Sequence, residues 1–521
     1  VLLAGALLLF LIPMLSKGLP AVFFGATVEF HKMQAEQFKR GNPETLQRQI
    51  DRTTLARAEV FSLLEHFSRG IHTAQLESDA KTLYRLYGDE LKFRDVPTDR
   101  YVELRQDARV IRDRLIEAFA SVDKAEILPI LDEISALEKD SRFVGTSMEK
   151  LIAIAADYRT TITGIDLGRR AEYAAELDIV KEQLRALFGP LPGENIPALA
   201  MYRFGATRRD IMQKHIRYLV QQERWLEQEP GQPLVKTTVR RDDPQYGVFA
   251  DTELAPLFAM IEQHADAMLE PRFTFYWQYF IDDSTPGHYF GGVGPEILGT
   301  LLLTLMAMLF AVPLGVISAA YLVEYAGDNV VIKIIRTCIN TLAGVPSIVY
   351  GLFGLAFFVA VVGHPCILTA SMTLALLSLP VIIRASEEAI RAVPQTYREA
   401  SLALGAGKFR TFVTVTLPAA GPGILTGIIL SLSRAAGDTA TILFAGAVAL
   451  GPVPDFAGKW LLQPTRALSY GCYDITVGDK LAMMVPHNQF GMVMTLILLV
   501  LTLNIAAILI RSRMSRKLRG H

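Results

Sequence analysis

The feature that most constrains this chain is where its charge stops. From about Pro295 to Ile510 the sequence carries five long apolar stretches, roughly Pro295–Val323, Ile332–Val362, Ile367–Ala385, Gly421–Leu450 and Phe490–Ile510. About 20 apolar residues are needed for a helix to cross a bilayer. Each stretch is therefore read as a membrane span. A further apolar run, Val1–Leu15, has no charge, no basic n-region and no clear small-x-small cleavage site. It is read as an uncleaved first span, with a signal peptide as the competing reading and some upstream residues expected to be missing. Lys17 to about Gly292 is the opposite, rich in charge with no run long enough to span. The mean hydropathy of +0.29 and the 51% hydrophobic content average these two regions.

The charged stretch reads as a mostly helical domain of about 250 residues. Apolar residues recur at three and four, as in Leu55, Val60, Leu63 and Leu64, and in Leu104, Val110, Ile111 and Leu115. Lys124–Glu138, Arg169–Phe188, Arg208–Glu227 and Thr252–Leu269 are further expected helices, and Leu234–Arg240 is the best strand. Pro190–Pro197 (PLPGENIP) is expected to divide the domain. Its charged helix faces are read as solvated rather than as a binding surface. Arg272–Phe280 (RFTFYWQYF) is an aromatic cluster just before the second span. It suits either a membrane–water interface or a buried element.

Basic residues in short flanks set orientation. The tail carries Arg511, Arg513, Arg516, Lys517 and Arg519, and the segment after the fourth span carries Arg384, Arg391, Arg398, Lys408 and Arg410. Both ends of this count face the cytoplasm. Six spans with both termini inside follow, and the large domain and the loop Gly451–Gln489 lie outside.

The polar interruption Tyr397–Pro418 (YREASLALGAGKFRTFVTVTLP) is read as two short helices around a glycine hinge. Thr396–Leu404 is the first, Gly405 and Gly407 break it, and Lys408–Thr416 is the second, stopped by Leu417-Pro418. Its residues resemble the EAA loop of ABC-type import permeases at Glu399, Ala400, Ser401, Gly405, Val415, Leu417 and Pro418. An ordinary connector is the bland alternative. The resemblance implies a cytoplasmic coupling loop (396–418) that docks on an ATPase subunit.

Other stretches narrow the family. Ala343–Phe353 (AGVPSIVYGLF), Leu379–Arg384 (LPVIIR) with Glu387, Glu388, Val393 and Pro394, and Ser433–Ala440 (SRAAGDTA) resemble segments of the PstA-type phosphate permeases. The resemblance is strong from about Gly292 onward, whereas the inserted domain matches a longer subgroup by position and size alone. It implies an all-α membrane protein of the MetI-like type: a first transmembrane helix at 1–16, a mostly helical periplasmic domain at 17–292, a permease domain at 293–511, and a basic tail at 512–521. It implies inner-membrane import of inorganic phosphate with a PstC-like permease subunit, PstB-like ATPase subunits and a PstS-like periplasmic binding protein, surrounded by membrane lipid. Rivals are a molybdate or sulfate permease and a membrane-tethered sensor.

Arg434 is expected mid-span, where an unpaired charge costs about 2.5–3.5 kcal/mol on insertion scales. Asp438 is one turn on, at i+4. One reading is a self-neutralised pair. The other, favoured by the resemblance, is a substrate-pathway arginine positioned by Asp438, which stands where the family usually has glutamate. A guanidinium offers a planar fork of donors that suits a phosphate. Arg384 is a second pathway candidate, or else snorkels to the interface.

No catalytic residue, cofactor site or metal site is expected. LGAGKF lacks the full phosphate-loop pattern and follows a helix. No HExxH, GxSxG or zinc spacing occurs, so ATP hydrolysis is assigned to a partner. The net charge of -1 suggests no nucleic-acid partner. Cys338, Cys366 and Cys472 are read as free thiols, with a Cys366–Cys472 bridge as the alternative.

Overall fold

The computed structural model describes the chain except residues 1, 95, 203–204, 228–232, 328, 449–450, 452, 455–457, 478–485 and 519–521. Val1 and Leu450, at the ends of two expected spans, and Arg519 of the basic tail lie outside the described residues. The chain divides into two compact units, one of residues 24–273 and one joining 1–23 to 274–521.

Residues 24–273 are built from helices around one core. The longest is Pro43–Ile71, started by Pro43 at its first position and by Asn42, whose side chain accepts from Glu44 N (2.9 Å) and Thr45 N (3.4 Å). It buries Thr53, Arg57, Val60, Leu64, Phe67 and Ile71, a spacing of three and four. Leu55 and Val110, expected on apolar faces, are exposed instead. Counting back from Val60 by helical turns leads to Arg57 and Thr53, so Leu55 falls on the opposite side. Arg57 is accommodated because Nη2 pairs with buried Glu29 (3.1 Å) and Nε donates to Met268 O (2.8 Å).

Thr73–Phe93, Thr98–Ala120, Lys124–Ser135, Ser147–Thr163, Arg170–Phe188 and Ala255–Leu269 complete most of the bundle. The expected helix Arg208–Glu227 is helical only over Arg209–Val220. Gln221–Leu226 then runs as a strand antiparallel to Val235–Arg240, with Gln221 opposite Arg240 and Leu226 opposite Val235. The apolar helical period ends at Val220, and the polar residues beyond it gain a ladder partner instead. Nor does Pro190–Pro197 divide the unit. A single buried cluster joins Leu184, Leu187 and Leu191 to Val220, Phe249 and Leu257.

Among the described residues of the other unit, four helices are long and apolar enough to cross a membrane: Gly294–Tyr325, Ile367–Arg391, Lys408–Gly437 and His487–Arg516. A bent pair, Val330–Ala343 and Ser347–Val362, makes five if counted as one span. This pair replaces the straight span expected over Ile332–Val362. It turns by 103° at Gly344–Pro346, where Pro346 has no N–H to continue the helix. Tyr350 O–H closes the corner by donating to Leu342 O (2.7 Å). Leu2–Gly18 is an apolar helix of 17 residues, about 25 Å at 1.5 Å per residue. It packs on the last long helix, with Gly18 against Met494 and Lys17 Nζ 5.1 Å from the Phe490 ring centre.

The span expected at Gly421–Leu450 is shifted. Its helix starts at Lys408 and ends at Gly437, and only a short helix, Ala440–Leu443, follows. Pro418 does not stop the preceding helix. Phe412–Thr416 forms a wide π turn, and the axis continues through the proline. Proline lacks an N–H and crowds the carbonyl four residues back, and the extra residue in that turn absorbs both effects. Close packing relies on small residues: Gly423 lies against Ala389, Gly427 against Ala385 and Gly315 against Ile382.

Around 276–280 the aromatic cluster splits. Tyr276 and Tyr279 are buried, with Tyr276 O–H donating to Asp282 Oδ2 (2.7 Å). Phe275 and Trp277 are exposed, and Phe275 stacks on Phe23 at 4.8 Å. All three cysteines are free thiols.

Candidate functional site

The loop between the Ile367–Arg391 and Lys408–Gly437 helices is built around one backbone conformation. The helix Gln395–Ala403 begins after Pro394 and ends in a reversal at Gly405, which has φ +83°. Ala406 N donates to Ser401 O (3.2 Å) and Gly405 N to Leu402 O (2.9 Å). This double closure is the Schellman helix stop, which places a left-handed residue after the last turn. Glycine is required at 405 for that reason. Gly407, expected to share the hinge, has φ -71° and an extended ψ, open to any residue. Ser401 Oγ and Thr411 Oγ1 then clasp the two arms at 3.0 Å. Glu399 and Ala400 are exposed, as is Pro418, while Leu417 is half-buried. The outer face of the loop also carries exposed apolar side chains, Tyr397, Leu402, Leu404 and Phe409.

An ion network anchors this loop; sequence reasoning counted Arg391 and Arg398 only as charges and Glu387 only as a motif position, and did not single out Glu324 or Arg336. Arg398 places Nε 3.2 Å from Glu324 Oε1, donates from Nη2 to Ile390 O (2.7 Å) and from Nη1 to Gln395 Oε1 (3.2 Å). Glu324 lies in the π turn ending the Gly294–Tyr325 helix. Buried Glu387 receives Arg391 Nη2 (2.7 Å) and lies 3.1 Å from Arg336 Nε. Arg336 Nη2 also donates to Leu322 O (2.9 Å). The loop is thus tied to the ends of the Gly294–Tyr325 and Ile367–Arg391 helices. The i,i+4 spacing of Glu387 and Arg391 was the one local signal for this; the contacts at 324, 336 and 398 are long-range.

The expected Arg434–Asp438 pair does not form. The helix ends at Gly437, and Asp438 is extended (ψ 120°), with Oδ1 accepting from Thr441 N at 2.9 Å. Asp438 therefore caps the next short helix instead of facing Arg434. Its backbone oxygen also accepts from Ser469 Oγ (3.3 Å). Arg434 is exposed, with no carboxylate within ion-pair distance among the described residues, and so is Arg384.

Depth follows from helix register. Ala385 meets Gly427 and Ala389 meets Gly423, so the two helices run antiparallel. Continuing that register sets Arg434 level with Ser378, midway along Ile367–Arg391. Arg434 is in the last turn of its own helix, yet level with the middle of its neighbour. Arg384 lies about six residues, roughly 9 Å, nearer the loop. Among the described residues, these are two guanidinium groups without a carboxylate partner, at successive depths.

A second buried cluster sits at the opposite end of the Gly294–Tyr325 helix. Arg466 donates to Asp283 Oδ1 (2.5 Å) and Gly451 O (2.9 Å) and lies 3.5 Å from Glu296 Oε1. Two carboxylates around one guanidinium make this a structural clasp and a poor anion site. Among the described residues no group of three His, Cys, Asp or Glu could hold a metal.

Residues 311–520 match the family described as binding-protein-dependent transport system inner membrane component. The matched stretch contains Arg384, Arg434, Asp438 and the loop 396–418, and none of residues 24–273. A phosphate transport system permease protein, PstA 1, of Mycobacterium tuberculosis is 36% identical over 246 residues, 47% of this chain and 77% of that protein. The chain belongs to the PstA-type permease family. A probable ABC transporter permease protein of Bacillus subtilis, YqgI, is 33% identical over 243 residues, covering 44% of this chain and 81% of the relative. A PstA of Yersinia pestis is 40% identical over 154 residues, 30% and 52% of the two chains. Among solved structures, an inward-facing form of the MetNI methionine ABC transporter covers 43% of this chain and 95% of its own, at 21% identity and a TM-score of 0.35. A PstA-type permease is a multi-pass membrane subunit and not itself an enzyme; ATP hydrolysis lies in a partner.

Proposed function

We propose that this chain carries inorganic phosphate through the inner membrane as one permease subunit of an ABC importer. The observation that carries the reading is the pair of carboxylate-free arginines, Arg434 and Arg384, at two depths within the stretch that matches the family. In hydrocarbon an unpaired arginine is expensive, and such residues face an aqueous path or a partner. Phosphate carries one to two negative charges at neutral pH, and a guanidinium fork matches two of its oxygens. Two single arginines bind and release more readily than one tight cage. Asp438 serves the path indirectly, by ending the helix just past Arg434.

The loop 396–418 couples this path to a PstB-like ATPase subunit. Glu399, Ala400, Ser401, Gly405, Leu417 and Pro418 occupy the family's loop positions. Its exposed Tyr397, Leu402, Leu404 and Phe409 suit an apolar groove on that partner. ATP binding draws the loops of two permease subunits together and turns the path outward. Hydrolysis resets it, the populations following the differential binding of the two states. A PstC-like subunit completes the path, and a PstS-like protein delivers phosphate.

The basic loop and tail place both termini in the cytoplasm. Leu2–Gly18 is the first of six spans, and the bent pair counts as one. Residues 24–273 then lie in the periplasm.

The deciding experiment is ATPase activity of the reconstituted complex with its binding protein, comparing phosphate, sulfate and molybdate. Stimulation by phosphate alone is expected. Stimulation by another oxyanion instead overturns the substrate while leaving the coupling mechanism. No stimulation by any oxyanion in an assembled complex overturns the transport reading.

A further inference from the structure

The stretch 275–281 of the membrane unit wears its side chains inside out. Tyr276 and Tyr279, the rings that carry hydroxyls, are buried, and the Tyr276 hydroxyl donates to buried Asp282. Phe275, Trp277, Phe280 and Ile281 are exposed, and Phe23, also exposed, stacks on Phe275. In water the opposite sorting is favoured: phenylalanine and isoleucine go inside, and the ring with a polar tip tolerates the surface. Hydrocarbon side chains outside, over an interior that holds the hydroxyls, suit a surround that is not water.

Backbone bonds fix the level of this stretch. Tyr276 N donates to Val22 O (2.8 Å), just past the end of the helix Leu2–Gly18. Val293 N donates to Tyr279 O (2.7 Å) and Gly294 N to Asp282 O (3.1 Å), at the start of Gly294–Tyr325. Gly491, near the start of His487–Arg516, lies against Tyr279 and Ala21. One apolar helix therefore ends, and two begin, beside the same residues. Leu9, Ile12 and Leu19 are exposed as well, at spacings of three and seven, so the patch continues one outer face of Leu2–Gly18. Lys17 is exposed at the same level, 5.1 Å from the Phe490 ring centre.

We infer that Phe23, Phe275, Trp277, Phe280 and Ile281 form a lipid anchor, seated among the glycerol and upper acyl groups of phospholipids where these three helices leave the bilayer. Rings gather at that depth because it offers an apolar medium beside a polar one. The bilayer centre is excluded by the level of the helix ends, and water by the inverted sorting of side chains. Lys17 reaches the lipid phosphates from the same level while its stem stays in apolar surroundings. A partner protein would have to cover a face that runs unbroken onto the outer side of a span, whereas lipid covers both at once. The chain passes between the two units next to Phe23 and next to Thr274, so the anchor holds both crossings at a fixed depth. The inference rests on the reading of Leu2–Gly18 as a span.

The probe is phosphatidylcholine brominated either high or low on its acyl chains, in vesicles holding the full chain, alone and in the assembled importer. The reporter is Trp277 fluorescence after Trp225→Phe and Trp460→Phe. High bromines should quench it roughly twofold or more, low bromines less, and iodide in the water only weakly. In the unaltered protein, a phospholipid with a photoactivated group beside its glycerol should label residues 275–281, a readout that needs no variant to fold. Stronger quenching by iodide or by low bromines, or no labelling of that stretch, overturns the anchor. Bromine quenching that is lost in the assembled importer assigns the patch to a partner subunit and overturns it too. Leu9→Trp, with the three native tryptophans replaced by phenylalanine, separates the two readings. Quenching there by low bromines leaves the span standing if the anchor fails, and its absence overturns both.

Discussion

The two units treat charge in opposite ways. In residues 24–273, ion pairs are numerous and mostly exposed, as in Lys81–Glu77 (2.6 Å) and Arg142–Asp107 (2.6 Å). Water screens such pairs, and each contributes little. Where that unit does bury a titratable ring, as at His215, the ring gives up its charge: burial pushes its pKa down to about 4. In the membrane unit, charges gather at the loop network and at the Arg466 clasp, and between them Arg384 and Arg434 have no carboxylate partner among the described residues. Arginine cannot shed its proton as histidine does. An uncompensated charge is therefore cheap where water reaches it and costly within hydrocarbon.

That comparison breaks most sharply at Arg434. Arg434→Gln should lower phosphate uptake roughly 100-fold, about 3 kcal/mol, while the complex still assembles with its ATPase. Uptake at the normal rate would remove Arg434 from the path. Gly405→Pro comes next. Proline holds φ near -65° where the loop has +83°, and it removes the N–H that donates to Leu402 O. Strain of about 1–3 kcal/mol should distort the loop and separate ATP hydrolysis from uptake, measured side by side in proteoliposomes.

For residues 24–273 the contrast is sharpened by pH. His215 has a lowered pKa in the folded state, so between its unfolded value near 6.5 and about 4 the unfolded chain binds the extra proton. Its contribution is present above pH 6.5 and is lost as pH falls towards 4, by roughly 3 kcal/mol at most. Hydrogen exchange of the core amides in Arg209–Val220 should accelerate over that window, and His215→Phe should flatten the response. Arg398→Met should cost about 1–3 kcal/mol of loop anchoring, read as faster exchange in Gln395–Ala403 and reduced uptake. The smallest effect belongs to an exposed pair: Lys81→Met should change thermal stability by less than about 0.5 kcal/mol. A loss comparable to Arg398→Met would undo the distinction between the two regions.

The loop shows how far local sequence reached. Glu399, Gly405, Leu417 and Pro418 fall at motif spacings, and the requirement for Gly405 was legible because a left-handed turn leaves few residue choices. Continuation through Pro418 was not legible, because a proline usually ends a helix and only the π turn before it absorbs the break. The i+4 spacing of Arg434 and Asp438 suggested a pair that the helix end at Gly437 prevents. Leu55 and Val110 misled for a related reason: an apolar residue near a periodic run need not lie on its face.

By itself, the sequence determined the apolar helices long enough to span, the helical character of residues 24–273, the loop motif of ABC-type import permeases, and the further stretches that resemble PstA-type permeases. These follow from hydropathy, period and spacing, which are local. Tertiary structure alone decided where each charge found its partner. It joined Arg398 to Glu324, Arg336 to Glu387 and Arg466 to Asp283, and among the described residues it left Arg434 and Arg384 without a carboxylate partner. Ion pairing depends on distances of a few ångströms between residues far apart in the chain, and no local pattern encodes those distances.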